Sequence, residues 1–362
     1  MMPIEDAILY YQRRHRLTIP QIAALREFSG IEISHPAEKE MKLNSLAKVA
    51  ELIRLSKLFK AHKLEFISIK GPLLSWRLHQ DFTVRYTNDI DLLVHKEDLV
   101  RVIDIVKELG YQQQYFEIPS GKNQFKLFQK IRNHLPFFHP QKKILVEIHW
   151  KLFAPELPCN VNLNEIVWQN TVSITVHNES FHVFTKEFEI VYLMLHGANH
   201  AWFRLKWLHD IYSYSKEPDV DWNRVIELSR HFGRKSLVYE SLYLADKYWI
   251  LPAKAAGLYQ DDPKKLNSFA LRYSNQLISE ESRKSGFFAW FKYAYGFTRY
   301  GTTLFPGLSY KIAFLQILVY SDADMQMISL PDKLTFLYFI IRPFHVVYSK
   351  WRPYHLLYQK NK

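Results

Sequence analysis

One cysteine, Cys159, stands among 362 residues, so the chain can form no internal disulfide. Long apolar runs are also missing. Stretches such as FLYFII, Phe336 to Ile341, fall far short of the roughly 20 residues that a membrane-spanning helix needs. There is no internal repeat and no low-complexity tract. The opening MMPIEDAILYYQRRHRL carries acids early and no continuous apolar stretch, which does not fit a secretory signal and makes the cytoplasm the expected compartment. Against these absences stand 48% hydrophobic and 15% aromatic residues, enough for a globular protein of two or three packed units.

The formal net charge of +12 is unevenly spread: from Ser282 to Lys362 there are 11 Lys/Arg against three Asp. Such a region attracts polyanions or anionic lipid headgroups, unless it is simply the solvated face of a helical domain. Its last stretch interleaves aromatics with Lys333, Arg342, Lys350, Arg352 and Lys360. The plainer expectation is core helices with a basic outer side. Peripheral contact with an anionic membrane surface, or with nucleic acid, is the alternative.

Periodicity divides the chain. Residues 1–35 read as two short helical pieces closed by Gly30, followed by a long amphipathic helix in which Met41, Leu43, Leu46, Val49, Leu52, Ile53, Leu55 and Leu58 form one buried face. EFISI, Glu65 to Ile69, then reads as a buried strand ending at Lys70-Gly71-Pro72, with a short helix behind it. TNDIDLLVH is a second strand, KEDLVRVIDIVKELGY a helix with Gly110 as its C-cap, and YQQQYFEI a third strand. HLPFFHP and KILVEIHW read as a hairpin, and TVSITVH and SFHVF as further strands. From about residue 185 the spacing is helical. The order predicts an α+β fold with a mixed sheet followed by a mainly helical C-terminal part.

Asp89 and Asp91 fall at i and i+2 of an apolar strand, so their carboxylates share a face while Ile90 and Leu92 take the other. Two adjacent anions repel, and partial burial worsens the cost, so the pair makes sense where a cation binds. Magnesium favours such oxygen ligands together with substrate phosphates. Glu147, an acid between Val146 and Ile148 on a later strand, is the candidate third carboxylate, and His149 lies on its face. Gly71 opens the backbone to a phosphate, Lys70 either adds positive charge there or pairs with one of the acids, and Arg85 either serves the same phosphates or forms a structural ion pair.

Together these residues resemble the polymerase-β-type nucleotidyltransferase core. More closely, the stretch from Ile69 to Tyr111 resembles a bacterial family described as an uncharacterised nucleotidyltransferase. That family's Lys-Gly pair, its Arg four positions before an Asp-x-Asp-Leu-Leu-Val strand, and its helix ending in Gly-Tyr fall on Lys70, Gly71, Arg85, Asp89, Asp91, Leu92, Leu93, Val94, Gly110 and Tyr111. VEIHW, Val146 to Trp150, and RLKWLHDI, Arg204 to Ile211, look like its later segments. The resemblance implies Asp89, Asp91 and Glu147 as catalytic, metal-binding carboxylates for Mg2+ or Mn2+. It implies Lys70 and Gly71 on the phosphate side, an NTP as substrate, and a small molecule, sugar, protein or RNA as acceptor. One departure is Pro72, where the wider superfamily usually has serine or glycine after the loop glycine.

The domains expected on this basis are an N-terminal helical segment, 1–37, a nucleotidyltransferase core, 38–184, and a helical C-terminal domain with the basic aromatic tail, 185–362. Two other readings remain open: a non-catalytic member that binds a nucleotide or a partner, and a nucleic-acid-binding protein led by its basic C-terminal region. His196 and His200 are four apart, as a zinc pair on a helix would be, but Gly197 stands where the zinc-protease pattern has glutamate. They are expected to pack or to line an acceptor pocket.

Overall fold

The computed structural model describes residues 4–28, 38–114, 118–154, 157, 159, 162–234, 236–260, 266–280, 287–305 and 307–351. The strands are β1 (Phe66–Ser68), β2 (Asp89–Val94), β3 (Gln112–Gln113), β4 (His134–His139), β5 (Ile144–His149), β6 (Thr171–Val176) and β7 (Glu179–Phe184). They form one mixed sheet in the order β3-β4-β5-β2-β1-β7-β6, with β2–β5 and β1–β7 parallel and the other pairs antiparallel. This is the α+β arrangement with a mixed sheet and a helical C-terminal part that the alternation of periods predicts.

Alternating side chains split the core into two layers. Ile90, Leu92 and Val94 of β2, with Val146 and Ile148 of β5, face a cluster built from Val49, Leu52, Leu55 and Phe59 and from Val102, Ile103 and Val106. The first four lie on a long helix and the last three on an amphipathic one, both on this side of the sheet. With α1 (Ile4–His15) and α2 (Ile19–Ala23) before them, these helices are α3 (Glu38–Ala61) and, after α4 (Gly71–His79), α5 (Leu99–Glu108). Gly110 lies just past α5 with φ +87°, as a helix-ending glycine does. Ile67 and Leu93 point the other way, into the larger cluster of the helical half.

Beyond α6 (Lys122–Ile131) and α7 (Leu163–Gln169), that half begins with α8 (Lys186–Asn199) and α9 (Leu205–Ser215), and continues through α10 (Trp222–His231) and α11 (Ser236–Tyr248) to further helices. The N-terminal helices pack here too. Ile8, Ile19, Ile22 and Leu25 belong to the same cluster, Arg14 donates to the Phe203 and Leu277 carbonyls at 2.7 and 2.6 Å, and Arg26 donates to the Asp246 and Trp249 carbonyls at 2.7 and 3.0 Å.

Three expectations need correction or bounding. The buried apolar face of α3 starts only at Val49: Ser45 and Lys48 before it are buried, but Leu43 is 59% and Leu46 48% exposed. The C-terminal aromatics are not simply core, since Phe336, Phe339 and Phe344 are exposed while Tyr338 is buried. Asp324 of this region is turned inward onto Arg342 and His345, and Asp332 onto the amides of Asn123 and Gln124. Of the expected third strand, only Gln112–Gln113 is formed among the described residues; residues 115–117 lie outside them, as do Gly30 and tail residues 352–362 with Arg352 and Lys360. No helix among the described residues is long and apolar enough to cross a membrane.

Candidate active site

Parallel pairing of β2 with β5 sets Asp91 opposite Glu147 and Leu93 opposite His149; antiparallel pairing of β4 with β5 sets His134 opposite His149. Side-chain alternation then puts Asp89, Asp91, Glu147, His134 and His149 on the one face of the sheet that looks toward α8 and α9. Ligand atoms of Asp89, Asp91 and Glu147 lie within 4.8 Å of one another, and so do those of His134, Glu147 and His149. The carboxylate trio read from the sequence is thus brought together, with two imidazoles beside it.

The Lys70-Gly71 turn closes one side. Lys70 is the N-terminal flanking residue of α4 and its side chain does not cap that helix, and Pro72 occupies its first turn, where a missing amide hydrogen does no harm. Gly71 has φ +68°, and a methyl group placed on it would sit 3.3 Å from the Asp89 carbonyl oxygen. The turn therefore lies directly against the first residue of β2. Gly71→Ala should lower stability by about 1–2 kcal/mol through the left-handed backbone alone, read as a shift in the urea unfolding midpoint. An unchanged midpoint would contradict this account of the turn.

Charges in the cluster are strongly matched. Lys70 Nζ is 3.0 Å from Asp91 Oδ1. His149 Nε2 is 3.2 Å from the same oxygen and 3.4 Å from Glu147 Oε2. Burial pushes the Asp91 carboxyl up, but Lys70 and His149 outweigh it and hold the group well below the usual carboxylate range. Burial opposes the charge on His149 as well, yet its bonds to Asp91 and Glu147 raise it. Asp89 has no such bonded cation: burial, then the anions Asp91 and Glu147, push it up to about 6. Asp91 is 1% exposed, and its Oδ2, like His149 Nδ1, has no hydrogen-bond partner among the described residues.

A buried carboxylate oxygen without a partner, beside two further acids, suits a hard divalent cation. With Asp89 among its ligands, such a cation would displace the Asp89 proton, so Mn2+ affinity should be flat above about pH 6 and fall about tenfold per pH unit below it. Calorimetric titration of Mn2+ between pH 5 and 8 measures this; a pH-independent affinity would exclude Asp89 as a ligand.

The opposite wall belongs to the helical half. Tyr192 and His196 of α8, then His200, Arg204, Lys206 and Trp207, face the acids across a cavity of about 340 Å³. His196 and His200 have ring centroids 4.8 Å apart, edge to face, and His200 stacks on Trp207 at 5.0 Å. Both form part of the cavity wall, and among the described residues neither joins a group of three side chains spaced to hold a metal.

Arg85 reaches the same cavity, but its guanidinium is committed. Nε and Nη2 donate to Asp210 Oδ1 and Oδ2 at 2.7 and 2.9 Å, so the ion-pair alternative describes this side chain. A second buried pair, Arg77 of α4 with Glu189 of α8 at 2.6 Å, runs parallel to it. Both tie the α4–β2 segment to the helical half and so fix the two walls of the cavity. His134, Tyr192 and Lys206 were not marked by sequence. Only the i+2 spacing of Glu147 and His149 could have hinted at the imidazole bonded to the acids.

Residues 9–249 match the family described as "Uncharacterised nucleotidyltransferase", and the chain belongs to that family. In part it is similar to the crystal structure of an antigenic nucleotidyltransferase-like protein from Paracoccidioides brasiliensis, with a TM-score of 0.34 at 16% identity over 59% of this chain and 97% of that one. No curated protein matches the chain.

Proposed function

We propose that this protein is a divalent-metal-dependent nucleotidyltransferase that moves a nucleoside monophosphate from an NTP to an acceptor and releases pyrophosphate. The observation that carries the reading is the β2–β5 register, which sets Asp91 opposite Glu147 with Asp89 alongside, around a buried carboxylate oxygen without a partner among the described residues. Asp89, Asp91 and Glu147 would hold Mg2+ or Mn2+. A bound metal of this kind supplies neutralisation of the charge that develops on the phosphates and on the attacking oxygen.

The remaining roles fall to the chain's own groups. His149 orients Asp91 and Glu147, while Lys70 and the start of α4 meet the phosphates. The acceptor, a hydroxyl-bearing or other nucleophilic compound, lies toward the aromatic wall of Tyr192, Phe203 and Trp207. Its oxygen forms a bond to the α-phosphorus as the α–β bridging bond breaks, its proton is released, and pyrophosphate departs. On this reading residues 38–184 supply the chemistry, and 185–362 the cover over it.

The test is to incubate the pure protein with each radiolabelled NTP, Mg2+ or Mn2+, and cell extract. Metal-dependent pyrophosphate release together with a labelled acceptor is the expected result. Absence of both, with either metal and all four nucleotides, would overturn the reading. Nucleotide binding without turnover would instead favour a non-catalytic member of the family.

A further inference from the structure

The cations lining the cavity are not equivalent. Lys70 is paired with Asp91 and Arg85 with Asp210, whereas Arg204 stacks over Phe203 and Trp207, with its guanidinium carbon 5.0 and 6.0 Å from the ring centroids. Lys206 is the unusual one. It is only 8% exposed and lies in the first turn of α9, and among the described residues no carboxylate or carbonyl is in bonding distance of its Nζ. The acid one turn further along its helix, Asp210, would be its natural i,i+4 partner, but both oxygens of that carboxylate are taken by Arg85.

An ammonium that opens only onto a cavity, on a side chain otherwise buried and without an anion, is costly, and proteins keep one where a ligand supplies the countercharge. Burial, then the neighbouring Arg85, lowers the Lys206 ammonium to about 8, and Asp89 is among the groups opposing that fall. The same cavity therefore presents metal-binding carboxylates on the sheet and unpaired positive charge on α9, an arrangement matched by a chain of phosphates spanning the two.

We propose that Lys206, assisted by Arg204, is a polyphosphate subsite that grips the terminal phosphates of the NTP, and afterwards the leaving pyrophosphate, from the helical half. This rests on the nucleotidyltransferase reading above. Lys206 is then a substrate-binding residue and not part of the structural frame.

The measurement is titration calorimetry of inorganic pyrophosphate in excess Mg2+ against the full chain, its Lys206→Met and Lys206→Arg variants and Arg204→Gln, with thermal unfolding of each. Lys206→Met should weaken pyrophosphate binding at least tenfold and unfold at the same or a higher temperature, since an unpaired buried charge has been removed. Lys206→Arg should retain most of the affinity, and Arg204→Gln should lose less than Lys206→Met. Unchanged affinity in Lys206→Met, or a lowered unfolding temperature marking a structural partner, overturns the subsite. Wild-type protein that binds pyrophosphate through Lys206 but transfers no nucleotide would sink the transferase reading and leave the subsite standing.

Discussion

Asp91→Asn should reduce pyrophosphate release by about a thousandfold or more, and Asp89→Asn by a comparable amount. The replacement keeps the shape of the side chain and removes its negative charge. A metal at such a site supplies several kcal/mol of transition-state stabilisation, and every 1.36 kcal/mol is tenfold in rate. Asp91 should be the more sensitive of the two, because it also holds Lys70 and His149 in place. Glu147→Gln leaves those contacts to Asp91 intact and should be the mildest of the three. Rates measured in saturating Mn2+, beside unfolding curves for each variant, separate lost chemistry from lost fold. Activity within tenfold of wild type in Asp91→Asn would remove this carboxylate from the catalytic site.

The largest effect on stability is expected at Asp210. Its carboxylate meets Arg85 through two parallel bonds in a place where the arginine is 2% exposed, and the Arg85 amide is held by Ser75 Oγ at 3.1 Å. Asp210→Ala leaves the guanidinium buried and uncompensated, which costs about 3–5 kcal/mol. Replacing both partners, Arg85→Met with Asp210→Leu, should recover most of that loss, because no charge is then stranded. Urea denaturation of both single variants and the double variant measures the coupling directly. A cost below about 1 kcal/mol in Asp210→Ala would mean that the pair does not hold α9 against the sheet.

Asp89, Asp91 and Glu147 were legible because a strand has a period of two, and an acid at alternate positions in an apolar run must face something other than the core. The succession of strands and helices along the chain was legible for the same local reason. What the chain did not disclose is pairing at a distance. Nothing in ILVEIH says that β5 lies parallel to β2 with Glu147 opposite Asp91, since β3 and β4 intervene in sequence. Arg85 and Asp210 are 125 positions apart, so the guanidinium could be offered to a phosphate until the fold gave it a carboxylate.

Lys206 was hidden by the opposite error. On an isolated helix it would pair with Asp210, and the fold deprives it of that partner. Leu43 and Leu46 show a further limit: helical spacing reveals which side of α3 is apolar, but not which of its apolar residues the fold covers.

The contact between Lys70 and Asp91 has a thermodynamic meaning. In the chain by itself, the ammonium group 3.0 Å from Asp91 Oδ1 already plays the part of a cation at that oxygen. On the proposed reading, a divalent ion that draws charge from the Asp91 carboxylate would weaken its hold on the lysine and free it toward incoming phosphates, and phosphates that draw the lysine away would strengthen Asp91 as a ligand to the ion. Each ligand thus raises the affinity of the other by the same factor. Metal and nucleotide titrated separately should look weak, and titrated together should look cooperative.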